Sequence, residues 1–131
     1  MKVLLDTHTL LWTTSAKGLL SAKVSQRITS SKTSEILVSS ISIWETYKLM
    51  AKGKISLDTP IRQWADSIIH HPSITMIDVN SELFIQSCTL PDGFHSDPAD
   101  QIIVATARLY DAIILTKDQK ILDYPHVKSE W

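Results

Sequence analysis

Val3-Leu4-Leu5-Asp6-Thr7-His8 is the stretch that decides how the rest of the chain is read. Val3, Leu4 and Leu5 form a short buried-strand candidate, and the apolar run stops at a carboxylate. Thr7, His8 and Thr9 then lead into Leu10, Leu11 and Trp12, which predict a short helix. A strand that passes straight into a helix is the opening unit of a βαβ arrangement. In open α/β sheets, ligand sites form beyond the carboxyl ends of the strands. Asp6 therefore stands where a functional carboxylate is expected. Its competing role is as N-cap of the helix that follows.

Working outward, the same alternation continues. Ser21 can cap a helix running to about Ser34, with Val24 and Ile28 on one face. Ile36-Leu37-Val38 is a second strand, ended by Ser39-Ser40. Ser42 can cap a third helix through Ile43, Trp44, Glu45, Tyr47, Leu49 and Met50, with Gly53 as its stop. Thr59-Pro60 opens an amphipathic helix carrying Ile61, Trp64, Ala65, Ile68 and Ile69. Ile74 to Val79 reads as a third strand, and Asn80 caps a helix with Leu83, Phe84 and Cys88. Asp97-Pro98 opens the clearest helix, with Ile102, Ile103, Thr106 and Tyr110 inward. Ile113-Ile114-Leu115 is a fourth strand, and a short last strand is expected near Val127. Strands separated by helices predict a central parallel sheet covered on both faces. The expected fold is a three-layer α/β/α single domain over residues 1–131.

Composition narrows the class. A chain of 131 residues can bury a core without disulfides. Cys88 is the only cysteine, so no intrachain disulfide and no Cys/His zinc spacing exist, which fits a reducing cytoplasm. The opening apolar run is too short for a signal peptide, and no apolar stretch spans a bilayer. A cytoplasmic location and no membrane partner are expected. With three glycines there is no glycine-rich phosphate loop. A net charge of -1 is not the basic balance that marks a nucleic-acid binder. Two bound divalent cations would carry that charge to +3, so bound metal can supply the missing positive field.

The remaining acids are each open to a plain structural role. Asp118 is separated from Leu115 by two residues and would share a sheet edge with Asp6. Alone it reads as a solvated turn residue; beside Asp6 it reads as a site residue. Thr116 can orient a metal-bound water or cap a backbone group. Asp97, Pro98 and Asp100 suit a helix start and the positive end of its dipole. Asp97 is read as the cap and Asp100 as facing the site. His95 reaches either the site or a loop backbone. Glu45 sits among Ile43, Trp44 and Tyr47, an expected buried segment where an unpaired carboxylate is costly. A metal or a basic partner such as Lys48 would satisfy it. Together Asp6, Glu45, Asp100 and Asp118 offer hard oxygen ligands suited to Mg²⁺ or Mn²⁺. Two such ions about 4 Å apart support in-line phosphodiester cleavage. Without a cation, crowded carboxylates raise one another's pKa values. Lys48 and Lys52 can touch phosphates, although a solvated face is the simpler reading, and the tryptophans read first as core or interface residues.

These pieces resemble the PIN-domain nucleases, particularly the VapC-type toxin ribonucleases of VapBC toxin–antitoxin modules. The likeness rests on Val3-Leu4-Leu5-Asp6-Thr7-His8, Ser42-Ile43-Trp44-Glu45, His95-Ser96-Asp97-Pro98-Ala99-Asp100 with Ile103-Val104-Ala105-Thr106-Ala107, and Leu115-Thr116-Lys117-Asp118. It implies a PIN fold and a Mg²⁺- or Mn²⁺-dependent endoribonuclease acting on RNA. It implies a homodimer and a small antitoxin protein whose tail occupies the active-site groove. By position it gives Asp6, Glu45, Asp100 and Asp118 the catalytic, metal-binding roles, with Asp97, Thr7 and Thr116 auxiliary. Gln101 departs from the subgroup, which often has arginine there, and removes a possible phosphate partner.

Two other functions fit parts of the pattern. A non-catalytic PIN-like module that binds RNA or protein would use the acids as caps and surface charge. A phosphatase with an aspartate nucleophile suits Asp6 and Lys117, but His8 replaces the second aspartate such an enzyme needs. It also leaves Glu45 and Asp100 without roles.

Overall fold

The computed structural model describes residues 1–15 and 19–131. Five strands, β1 (Lys2–Leu5), β2 (Glu35–Ser39), β3 (Ile74–Ile77), β4 (Ala112–Leu115) and β5 (Ser129–Glu130), form one sheet in the order β3-β2-β1-β4-β5. Every pairing is parallel. The helices are α1 (Thr7–Thr14), α2 (Ala22–Thr29), α3 (Ser40–Ala51), α4 (Ile61–Ile69), α5 (Ser81–Cys88), α6 (Pro98–Tyr110) and α7 (Gln119–Leu122). The three-layer α/β/α expectation is correct. No helix among the described residues is long and apolar enough to cross a membrane.

β1 is the central strand and shows why. Its side chains alternate between two cores, as the period of a strand requires. Leu4 joins Leu37, Ile114, Leu83, Ile103 and Val104 on the face covered by α5 and α6. Val3 and Leu5 join Val38, Leu115, Leu10, Val24, Trp64 and Ile68 on the face covered by α1, α2 and α4. From Val3 to Leu5 the strand is buried on both faces and wholly apolar, and the run ends at Asp6 where the chain leaves the sheet.

Several boundaries differ from the expected ones. α2 ends at Thr29 rather than near Ser34. The hydroxyls there bond the local backbone instead: Thr33 Oγ1 donates to Arg27 O, and Ser30 Oγ accepts from Lys32 N–H. α3 is capped by Ser39, whose Oγ accepts from Ile41 N–H, not by Ser42. β3 stops at Ile77 because its partner β2 ends at Ser39, the residue in register with Ile77. Val79 N–H turns to Ser40 Oγ instead. α4 starts one residue later than read, with Pro60 in the cap position. β5 lies just beyond Val127, and Arg27 grips its Glu130 through two hydrogen bonds of 2.7 and 2.8 Å. That contact holds the Glu130 carboxyl below its ordinary range.

Leu4 is fully buried at the centre of the α5/α6 core. Leu4→Ala should therefore cost about 3 kcal/mol, read as a lower urea midpoint with an unchanged m-value.

Candidate active site

The parallel register puts the carboxyl ends of β1, β2 and β4 side by side, with Leu5 paired to Val38 and to Leu115. The next residues along, Asp6, Ser39 and Thr116, are all buried polar groups. Asp6 N–H and Thr9 Oγ1 both donate to the carbonyl of Leu115, at 3.4 and 2.7 Å, which fastens the start of α1 to the end of β4. Asp6 Oδ1 accepts from Thr9 N–H at 2.8 Å, and Oδ2 accepts from Thr116 Oγ1. Asp6 is thus both the N-cap of α1 and a carboxylate held in one orientation. Its capping and functional readings are compatible, because each carboxylate oxygen keeps a second lone pair.

Asp118 and Asp97 are built the same way. Asp118 caps α7 by accepting from Lys120 N–H at 2.9 Å, and its own N–H donates to Thr116 Oγ1 at 3.0 Å. Thr116 therefore connects Asp6 and Asp118 through one hydroxyl. Asp97 caps α6 by accepting from Asp100 N–H at 3.0 Å, and Pro98 occupies the first turn. Asp100 turns inward from that first turn. Glu45 projects from α3, whose Ile41 packs on one core and Ile43 on the other, so the helix bridges both layers.

Asp6, Thr7, His8, Trp12, Glu45, Asp97, Asp100, Lys117 and Asp118 line one cavity of about 490 Å³. All four acids expected to act together are in its wall. At its edge, one ligand atom each from His95, which is not a lining residue, and from Asp100 and Asp118, which are, lie within 4.8 Å of one another. Asp6 and Glu45 line the same cavity outside that tighter group. His95 does both things considered for it. Its Nδ1 accepts from Asp97 N–H at 3.3 Å, while Nε2 lies 3.1 Å from Asp100 Oδ2. That second approach is poorly aligned, and Nε2 is a buried nitrogen without a hydrogen bond.

The electrostatics follow from burial and then from crowding. Burial, and then the charges of Asp97, Asp118, Glu45 and Asp6, push Asp100 up to about 8. Glu45 is also raised, by burial first and by Asp97 and Asp6, with Thr7 and His8 opposing. The Thr7 hydroxyl donates to Ser42 Oγ at 3.0 Å. A hydroxyl has one proton, so Thr7 serves Ser42 or Glu45 at any one time. Oxygen-rich, partly buried and short of protons to share, the cavity suits a hard divalent cation.

One expectation about this region needs correction. Trp44 and Tyr47 are exposed, at 51% and 39%, so Glu45 does not lie in a buried helical segment. Its burial comes from the cavity wall instead. Gln101 does not line the cavity. His8, Trp12 and Lys117 also line the cavity, outside the set of site residues expected from the sequence. A lining role for His8 and Trp12 was detectable from their spacing on α1, four apart.

The PIN-domain family profile matches residues 3–127. The chain belongs to the PIN-domain family. It is 30% identical over 124 residues to Ribonuclease VapC22 of Mycobacterium tuberculosis, covering 95% of this chain and 92% of that one. Its fold is similar to VapBC2 from Rickettsia felis bound to a promoter DNA fragment, with a TM-score of 0.70 at 18% identity over 99% and 98% of the two chains. DNA-bound VapBC from Salmonella typhimurium is similar at a TM-score of 0.69 and 23% identity, over 99% and 97%. The sarcin–ricin-loop-cleaving toxin VapC20 of Mycobacterium tuberculosis is similar at 0.63 and 16%, over 96% and 98%. The PIN fold and the VapC resemblance expected from the sequence are correct.

The raised Asp100 pKa has a consequence for the metal-free protein. Between the unfolded value of 3.8 and the folded value of about 8, the folded state holds a proton that the unfolded state has lost. Stability must therefore fall as pH rises through that window. Thermal melts in EDTA should show this decline, and Asp100→Asn should flatten it.

Proposed function

We propose that this PIN-domain protein is a divalent-metal-dependent endoribonuclease, the toxin of a type II toxin–antitoxin pair. The observation that carries the proposal is the single cavity walled by Asp6, Glu45, Asp100 and Asp118 at the carboxyl edge of a parallel sheet. The names of its relatives support RNA as substrate and a small antitoxin protein as partner. The active form is a homodimer in the cytoplasm.

In this reading Asp6, Glu45, Asp100 and Asp118 hold Mg²⁺ or Mn²⁺. The fit rests on the donor set, four carboxylates in the wall of one cavity, where burial and the neighbouring acids disfavour the charged form of Asp100 unless a cation is present. A bound divalent ion supplies an acidified water and offsets charge on the phosphodiester. The rest is done by the chain. Thr9 N–H and Thr116 Oγ1 hold both oxygens of Asp6, so its carboxylate need not reorganise when charge arrives. Thr116 also ties the backbone of Asp118 to Asp6. Asp97 fixes the first turn of α6 and with it Asp100. The Thr7 hydroxyl, which bonds Ser42 Oγ, is also close enough to Glu45 to favour its charged form. The N-termini of α1 and α6 lie at the cavity, and their dipoles favour the clustered negative charge.

Cleavage of an RNA oligonucleotide should require Mg²⁺ or Mn²⁺. Asp6→Asn should lower it at least about 100-fold, the upper end of what loss of an outer-shell partner costs a metal site. Thr116→Val should lower it by about 10-fold or more by freeing that carboxylate. Either ion should raise the melting temperature of the wild type by mass action, and less so that of Asp6→Asn. Undiminished cleavage by Asp6→Asn would remove Asp6 from the mechanism. A wild type with neither cleavage nor a thermal shift would assign the fold to a non-catalytic binding role.

A further inference from the structure

A second groove, of about 470 Å³, shares Glu45 and Asp97 with the acidic cavity. It is lined on its far side by Trp44, Lys48, Leu49, Lys52 and Lys54. The acids that end the first cavity are thus the acids that begin the second. Three lysines converge in a concave surface of a chain whose net charge is -1.

The convergence is built, not incidental. Lys48 and Lys52 are four apart on α3 and share a face. Lys54 lies beyond the helix end and would ordinarily lead away from it. Gly53 adopts a φ of +67°, a left-handed conformation that glycine accepts without steric cost. The turn is closed by Gly53 N–H to Met50 O at 3.0 Å and Lys54 N–H to Leu49 O at 2.9 Å. That C-cap folds Lys54 back beside the other two. Among the described residues, none of the three lysines takes part in an ion pair. Glu45 and Asp97 stand at one end of the groove, so the three lysines outnumber the two acids lining it, and a polyanion relieves the repulsion among them.

Trp44 decides which polyanion. Its indole is 51% exposed, and Lys48 Nζ lies 5.3 Å from the ring centroid. An exposed indole among lysines is the pairing that single-stranded nucleic acid uses, with bases stacked on the ring and phosphates on the ammonium groups. An acidic peptide meets the lysines with its carboxylates but offers a flat group only where its own sequence supplies one, whereas every base has a flat face. Resting on the ribonuclease reading above, we propose that Trp44, Lys48, Lys52 and Lys54 form a substrate lane. It binds the single-stranded RNA segment adjoining the cleaved bond and delivers it across Glu45 and Asp97 into the acidic cavity.

The lane binds substrate and does no chemistry, so its loss should appear in KM. The test compares wild type, the triple variant Lys48→Gln/Lys52→Gln/Lys54→Gln and the triple Lys→Arg variant on a single-stranded RNA oligonucleotide with Mg²⁺. All three substituted side chains are exposed, and thermal melts check that the variants remain folded. The glutamine variant should raise KM with kcat retained. It should also lower the salt dependence of log(kcat/KM) by about 2, since each lost single-strand phosphate contact removes about 0.7. The arginine variant should restore both. Trp44→Ala should lower kcat/KM by about 10-fold, and Trp44→Phe should recover most of it. Wild-type cleavage with KM and salt slope unchanged in the glutamine variant overturns the lane and leaves the ribonuclease reading standing. No cleavage by wild type overturns the ribonuclease reading, and the lane with it. Loss of poly-L-glutamate binding with unaltered RNA kinetics would assign the lysines to an acidic protein segment and overturn the RNA lane.

Discussion

One buried hydrogen bond, from Thr116 Oγ1 to Asp6 Oδ2, joins groups 110 residues apart at the ends of two adjacent strands. It exists because β1 and β4 pair in a register that sets Leu5 against Leu115. A slip of one residue would send Leu4 and Ile114 to the wrong core and separate the two polar groups. The hydrophobic alternation of the strands and the arrangement of the site are therefore one constraint. The cores on both faces enforce the register, and the register brings Asp6, Ser39 and Thr116 to one edge.

The acids serve two purposes at once. Asp6, Asp97 and Asp118 each satisfy an orphan backbone N–H at a helix start, which stabilises the helix and immobilises the carboxylate. Asp100 has no such local duty, and burial first, then the neighbouring carboxylates, raise its pKa to about 8. Folding thus concentrates negative charge in a place where water alone does not neutralise it. In the proposed mechanism a divalent cation resolves that tension, and the neighbouring lysines extend the field along the substrate.

Much of the fold was legible because its signals are local. Apolar runs followed at once, or within three residues, by an acid marked β1 and β4, and Asp97-Pro98 marked the start of α6. The boundaries that shifted lie in stretches of repeated hydroxyl residues. Ser39, Ser40 and Ser42 can all cap, and only the end of β2 selects Ser39. The hydroxyls from Thr29 to Ser34 can continue a helix or bond its backbone, and they do the latter.

The sequence by itself determined the parallel α/β architecture, the carboxyl ends of β1 and β4, and the acids that follow them. Those follow from side-chain period and from which residues end a strand or begin a helix. Only the tertiary structure decided that Thr116 bridges Asp6 and Asp118, that His95 closes on Asp100, and that Trp44 and Tyr47 face outward. It also decided that Lys54 joins Lys48 and Lys52 beside the acidic cavity. The physical reason is common to all of them. Such contacts depend on the strand order, the register and the direction in which a helix cap turns the chain. None of these is encoded in the spacing of the residues that finally meet.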